Sequence, residues 1–246
     1  MIYVRYHDRT GNNLFQWAFA RVLSELTGVP MTAPALPLFP ETDLPQTPWP
    51  VTGIKHCRLA ATGRDQLEDW TARVLDGDTI VSGWPFNVDF FAGHRALLTA
   101  LLRPAGGEFY AAQADDVVLH LRYADFAQYR SNHYDVEVFA RVLARLNYSR
   151  CLIVTDSAEL PAVSRLIKHH RGLVVSKDVA HDYRTLWNAR RLILSPSTFS
   201  WWAGWTGGAQ ELYQPFQTGM WHLRLGHNLN WSGSGVRLFN ERGELL

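Results

Sequence analysis

Three short stretches of the chain gather side chains that bind and polarise anions. His120-Leu-Arg122-Tyr-Ala-Asp125 sets an arginine and a carboxylate close together, directly after an apolar run. A guanidinium at the end of a buried strand is costly unless it meets an anion; its fork suits phosphate or carboxylate, and it stays charged at any accessible pH. A structural Arg122–Asp125 pair is the competing account. His120, alternating with apolar neighbours, reads equally as a satisfied core histidine. Ser195-Pro-Ser-Thr-Phe-Ser200 places four hydroxyls within six residues at a predicted helix start. Hydroxyls and amides there make an anion cradle, although part of the pattern is ordinary N-capping by Ser197 or Thr198. Asp8-Arg-Thr-Gly-Asn-Asn13 supplies a glycine and paired asparagines that accept tight or left-handed backbone ahead of a helix. Trp201, Trp202 and Trp205 follow the hydroxyl run and read either as core packing or as a sugar-stacking surface. An arginine, an anion cradle and a glycine loop together describe a site for a diphosphate-bearing ligand.

The elements that must hold these residues follow from periodicity. Met1 to Tyr6 is a short β-rich run, Asp8 to Asn13 a turn, and Leu14, Trp17, Ala18, Val22 and Leu26 recur at helical spacing until Gly28 and Pro30. Seven of the twelve prolines lie between Pro30 and Pro50, which predicts a long surface excursion. Thr79 to Ser82 reads as a buried strand, Val88 to Leu102 as a helix, and Pro104-Ala-Gly-Gly107 as a linker. Beyond it, strands at Val117–Leu121, Cys151–Thr155, Leu173–Val175 and Leu192–Leu194 alternate with helices at Val136–Leu146, Ala158–His169, Tyr183–Ala189 and Phe199–Trp205. Short apolar strands spaced by helices imply a parallel sheet covered on both faces. The predicted class is therefore α/β, with two Rossmann-like units, 1–104 and 105–246. Ligands of such sheets bind beyond the carboxyl ends of the strands, where the three chemical stretches fall.

Composition removes several classes of function. A net charge of +1 over 246 residues gives no basic footprint for nucleic acid. No window approaches the ~18 consecutive apolar residues of a membrane span. Arg5, Asp8 and Arg9 stand where a signal peptide would need its apolar core, so a cytoplasmic protein is expected. Cys57 and Cys151 form no CxxC, the scattered histidines no HExxH, and no metal site is expected.

At these residues the chain resembles the α-1,2-fucosyltransferases of glycosyltransferase family 11. Thr10-Gly-Asn-Asn-Leu-Phe-Gln-Trp-Ala-Phe-Ala20 is similar to that family's N-terminal LGNQ-F-Q-Y-A-F-A element, and His120-x-Arg122-x-x-Asp125 to its HxRxxD motif. Gly83-Trp-Pro-Phe-Asn-Val-Asp-Phe-Phe91 resembles its GYxQ-x-x-x-YF stretch. Cys151-Leu-Ile-Val-Thr-Asp-Ser157 resembles its strand ending in Ser-Asp, and Asp182 with Ser195 to Trp202 its D…NS(S/T)FSWW block. The matches run in order along most of the chain. Tyr123 and Ala124 replace the usual Arg-Gly, Asn13 the usual Gln, and Pro196 the usual Asn.

The resemblance implies a GT-B-like fold, two Rossmann-like units with parallel sheets facing a central cleft: an acceptor-side unit first, a GDP-sugar unit second. It implies an inverting, metal-independent enzyme that moves a sugar from a GDP-sugar, GDP-L-fucose above all, onto a galactose-containing glycan in α-1,2 linkage. Arg122 and Asp125 would be catalytic. Gly11, Asn12, His120, Arg122, Asp156, Asp182, Ser197, Thr198 and Ser200 would bind the donor, and Trp84 and Trp201 the acceptor. Asp125, Asp8 and Asp135 all stand as candidates for the general base. Donor and glycan are the expected partners, with no nucleic acid and no integral membrane segment; peripheral attachment to an inner membrane is compatible. Two rivals remain. Asp76-Gly-Asp78 offers the DxD of a metal-dependent transferase, although Asp-Gly is also common turn chemistry. Ten tryptophans would also suit a non-catalytic glycan-binding module that kept only the fold.

Overall fold

The computed structural model describes residues 1–45, 60–61, 66–123, 134–216 and 228–246. It is an α/β protein of two compact units that divide between Ala105 and Gly106. The expected second half, 105–246, is not continuous: Asn228 and Leu229 return to unit 1. Asn228 is fixed there through its backbone, donating to the Phe86 carbonyl (2.7 Å) and accepting from the Val88 amide (2.8 Å).

Unit 1 contains β1 (Ile2–Val4), α1 (Thr10–Thr27), β2 (Met31–Thr32), β3 (Ala60–Ala61), α2 (Leu67–Asp76), β4 (Thr79–Gly83), α3 (Asp89–Ala92) and α4 (Arg95–Leu101). Its sheet is parallel in the order β2-β1-β4-β3. α1 leads from β1 to one side while the next strands pair on the other, so the order reverses between β1 and β4. α1 is buried almost all round from Leu14 to Leu23, as a helix held between layers must be. Phe15 packs on Phe86 and Phe91, and Phe19 on Trp70 and Phe90. The helix starts at Thr10 rather than at Leu14, which puts Gly11 and Asn12 in its first turn instead of a preceding loop. It stops at Gly28, whose left-handed backbone (φ 70°) returns its amide to the Ser24 carbonyl.

The proline-rich stretch is not a surface excursion throughout. Leu36, Phe39 and Thr42 are buried around a 3₁₀ turn, Pro40–Thr42, with the Thr42 hydroxyl closing on the Phe39 carbonyl (2.7 Å). The helix expected over Val88–Leu102 is two helices, α3 and α4, separated at Gly93 and His94.

Unit 2 contains β5 (Val117–Leu121), α5 (Val136–Leu143), β6 (Cys151–Thr155), α6 (Pro161–His169), β7 (Leu173–Val174), α7 (Val179–Trp187), β8 (Arg191–Ile193), α8 (Thr198–Thr206), β9 (Glu211–Pro215) and β10 (Val236–Phe239). All six strands are parallel, in the order β10-β9-β8-β5-β6-β7. This is the doubly wound arrangement of dinucleotide-binding sheets, with its order reversing between β5 and β8. Val117, Leu119 and Leu121 face the core under α5 and α6, together with Phe139, Val142, Val163 and Leu166. The period-two alternation of a strand turns Val118 and His120 to the opposite face. There Gly204 of α8 lies against Leu194 and Leu212. Among the described residues, no helix is long and apolar enough to cross a membrane.

Candidate functional site

At the carboxyl edge of the six-stranded sheet, the segments after β8, β5 and β6 lie side by side. His120, Arg122, Asp156, Ser195, Ser197, Thr198 and Ser200 all belong to this edge. β5 and β8 flank the point where strand order reverses, the place where open α/β sheets bind ligands.

His120 is buried and shares a 2.7 Å hydrogen bond between its Nδ1 and the Ser195 hydroxyl. Burial, reinforced by the Arg122 charge and opposed by Asp156, pushes its pKa down to about 3. The ring is therefore neutral at physiological pH and ties the β8 segment to β5, with Phe199 close by (centroids 6.0 Å apart). Arg122 follows β5 and is half-buried. The next residue is pinned at both ends: the Tyr123 amide donates to Asp156 Oδ1 (3.0 Å) and its hydroxyl to the Tyr134 carbonyl (2.6 Å). Asp156 also accepts from the Ser157 hydroxyl (2.7 Å). Asp156 thus fixes the backbone beside Arg122, while remaining exposed itself.

The β8–α8 turn is tight. The Ser197 amide donates to the Ser195 carbonyl (2.7 Å), and the Ser197 carbonyl accepts from the Trp201 amide (2.9 Å). Ser197 stands at the N-cap of α8, yet its hydroxyl makes no capping bond. The residue is only 6% exposed and its Oγ is unpartnered. Serine at this position ordinarily accepts from an amide two or three residues on, so a buried unmatched hydroxyl is unusual. The first-turn amides of a helix also lack intrahelical acceptors and carry the positive end of its dipole. Together these features present donors to an anion.

Two expected ligand contacts prove structural. Ser200 is fully buried, and its hydroxyl donates back to the Ser195 and Ser197 carbonyls (3.4 and 3.3 Å), so it shapes the turn. Trp201 is 2% exposed, stacked on Trp205 at 5.4 Å and edge-on to Trp202 at 5.1 Å. No indole face is left for a sugar; the tryptophan run is core because α8 is covered on all sides. Asp182 lies in the first turn of α7, where its Oδ1 accepts from the Lys177 amide (2.9 Å) and approaches His181 Nδ1 (3.3 Å). Asp135 caps α5, accepting from the Glu137 amide. Asp125 lies outside the described residues.

Gly11, Asn12 and Trp84 belong to unit 1, around the carboxyl ends of β1 and β4. Trp84 Nε1 and Asn12 Nδ2 both donate to Asp8 Oδ2, at 3.0 and 3.1 Å. The buried Gln16 joins the two strand ends: its Oε1 accepts from the His7 amide (2.9 Å) and its Nε2 donates to the Gly83 carbonyl (2.7 Å). Sequence reasoning missed Gln16 as an organiser. Its signal was a lone polar residue inside the apolar run Leu14–Ala20. Tyr123 was missed as well, because it stood only as a departure from a motif.

Asp76 and Asp78 flank the amino end of β4, opposite the edge at which ligands bind, and Asp78 Oδ1 pairs with the N-terminal amine (2.8 Å). The geometry gives the DxD reading no support. No family model matches the chain, and no curated protein matches it either.

Proposed function

We propose that the chain is an inverting glycosyltransferase that takes its sugar from a GDP-sugar. The observation that carries this reading is that Arg122 follows β5, while the β8–α8 turn with its unpartnered, buried Ser197 hydroxyl follows the neighbouring strand β8, at the point where the strand order of a dinucleotide-type sheet reverses. In this reading the two units are the halves of a GT-B-like enzyme, the donor is GDP-L-fucose, and the acceptor is a galactose-containing glycan linked α-1,2.

The chemistry follows from where charge develops. As the bond from the anomeric carbon to phosphate breaks, GDP leaves with the bonding pair and its diphosphate gains negative charge. Arg122 and the donors at the start of α8 receive that charge without rearranging, the arrangement from which electrostatic catalysis draws most. Asp156 holds the backbone next to Arg122, and its exposed carboxylate is of the type that accepts from nucleoside hydroxyl or amine donors. His120 is neutral and engaged with Ser195, which fits a positioning role rather than proton transfer.

Calorimetric titration with GDP in the presence of EDTA, with UDP as comparison, tests the reading. GDP is expected to bind more tightly than UDP. Arg122→Ala should weaken GDP about ten- to hundredfold, the loss of one charge-assisted contact of ~1.5–3 kcal/mol. Turnover of GDP-L-fucose with lactose as acceptor should fall ~10²–10³-fold in the same variant. A preference for UDP, or GDP binding indifferent to Arg122, overturns the assignment.

A further inference from the structure

Unit 2 carries a groove of about 780 Å³ on its outer surface, between α5 and α6. Its walls follow from helical spacing. Glu137, Ala140, Arg141 and Ala144 recur at three- and four-residue steps and so share one face of α5 and the turn that ends it. Arg165, Lys168 and His169 do the same on α6, with the buried Leu166 beside them. The space stays open because two positions on the α5 wall are alanine, where longer side chains would fill it. A crossover helix of a parallel sheet begins at the carboxyl edge and ends at the amino edge. These late turns therefore stand away from Arg122 and Ser197.

At neutral pH the cations Arg141, Arg165 and Lys168 line the groove against the single carboxylate of Glu137, so it is positive whatever the state of His169. Arg141 Nε donates to the Arg242 carbonyl (2.8 Å), which holds that guanidinium in place. The side chains of Arg165 and Lys168 enter no hydrogen bond or ion pair among the described residues. His170 also lines the groove. Its Nδ1 meets the Tyr148 hydroxyl at 2.8 Å, while its Nε2 is buried without a partner, an uncommon state for a ring nitrogen. Helix dipoles favour cations in the last turns, which accounts for each of them singly. It does not account for a space kept open between cations on two helices.

Sites for small molecules occupy about 300–1,000 Å³, and this groove falls in that range. Cations on both walls call for an anion whose charge reaches both, which a lone carboxylate does not provide and phosphate oxygens do. Ala140, Ala144 and Leu166 leave an apolar surface for the rest of the ligand. We infer that the α5–α6 groove binds a phosphate-bearing ligand of at least two negative charges, held between Arg141 on one wall and Arg165 and Lys168 on the other. The site is independent of the donor function proposed above.

The test is calorimetric titration of the full chain with inorganic tripolyphosphate at low salt, made in an Arg122→Ala background so that the proposed donor site contributes little. Saturable one-to-one binding is expected, and the His169 imidazole resonances, assigned through His169→Asn, should shift with the same midpoint. Arg165→Gln combined with Lys168→Gln should weaken binding about tenfold or more. Ala144→Glu brings a carboxylate to the groove without removing a cation and should weaken it too. All three positions are exposed, so the melting temperature should hold. In the chain that keeps Arg122, the part of GDP affinity that depends on Arg122 should not change, so the groove and the donor reading fail separately. Cosedimentation with cardiolipin vesicles, against phosphatidylcholine vesicles, identifies the source of the phosphate. Cosedimentation lost in the same variants assigns a lipid headgroup; tripolyphosphate binding without cosedimentation assigns a soluble ligand. Binding of neither probe, or binding indifferent to these substitutions, overturns the site.

Discussion

A buried imidazole beside an arginine sets a pH signature for the protein. His120 has a folded pKa near 3, below the ordinary ~6.5 of an unfolded histidine. Between those values the unfolded chain binds a proton that the folded chain does not, so stability falls as pH drops through this window. The contribution between pH 7 and 5 is about 2 kcal/mol for this one group, at ~1.4 kcal/mol per unit below 6.5. His120→Asn removes the titration. Urea unfolding at the two pH values should show a smaller acid loss in the variant, by roughly that amount. Equal losses in both proteins would mean that His120 protonates within the fold. Arg122→Ala should soften the effect, since its positive charge helps depress the imidazole. The roles of these two neighbours thus separate: Arg122 is read through GDP affinity, His120 through acid stability.

At the scale of elements, the position of α8 decides whether the β8–α8 turn can exist. Gly204 lets the helix approach the sheet: an added Cβ would stand 2.7 Å from Leu212 Cδ1 and 3.2 Å from Leu194 Cδ2. Gly204→Val should cost about 1–3 kcal/mol by overpacking and displace the helix start, lowering GDP affinity although no ligand contact is changed. Chemical denaturation and calorimetry on the same variant check both effects; retained stability and retained affinity would show that the contact is soft. Much of this architecture was legible beforehand. β5, β6 and β8 are short runs of mostly apolar, buried residues, and buried parallel strands leave that signature. The strands at the β9–β10 side were not legible. Glu211–Pro215 carries Gln214 and Pro215 in a strand that pairs on both edges, and Val236–Phe239 is only half-buried, so neither presents an apolar run. α2 escaped because only Trp70 and Val74 face inward, too narrow a stripe for periodicity to announce. The candidate site was legible as residue types on strand ends. What stayed hidden was direction: hydroxyls and indoles of one helix turn are divided between ligand edge and core by rotation about its axis, which a list of neighbours along the chain does not convey.

At the scale of the whole molecule, the proposed GDP site belongs to unit 2, so GDP is expected to stabilise that unit. GDP at about 100 times its Kd should add ~2.7 kcal/mol to the unit that binds it, and Arg122→Ala should remove about half of that gain or more at the same concentration, as its ten- to hundredfold weaker binding requires. Hydrogen exchange read over the unit 2 strands β5 and β8 is the direct measurement. Protection from GDP that appears instead over β1 and β4 would place the nucleotide in the other unit. The division of the chain also has a temporal side. Along the chain unit 1 precedes unit 2, but Asn228, which completes the backbone pairing of Phe86 and Val88, is made only after nearly all of unit 2. At ~5–20 residues per second, the N-terminal unit therefore waits several seconds to tens of seconds for its last piece. A ribosome that stops after Pro215 and before Asn228 would release a chain whose second unit has most of its strands and whose first is unfinished, so such a stop damages the unit that comes earlier along the chain.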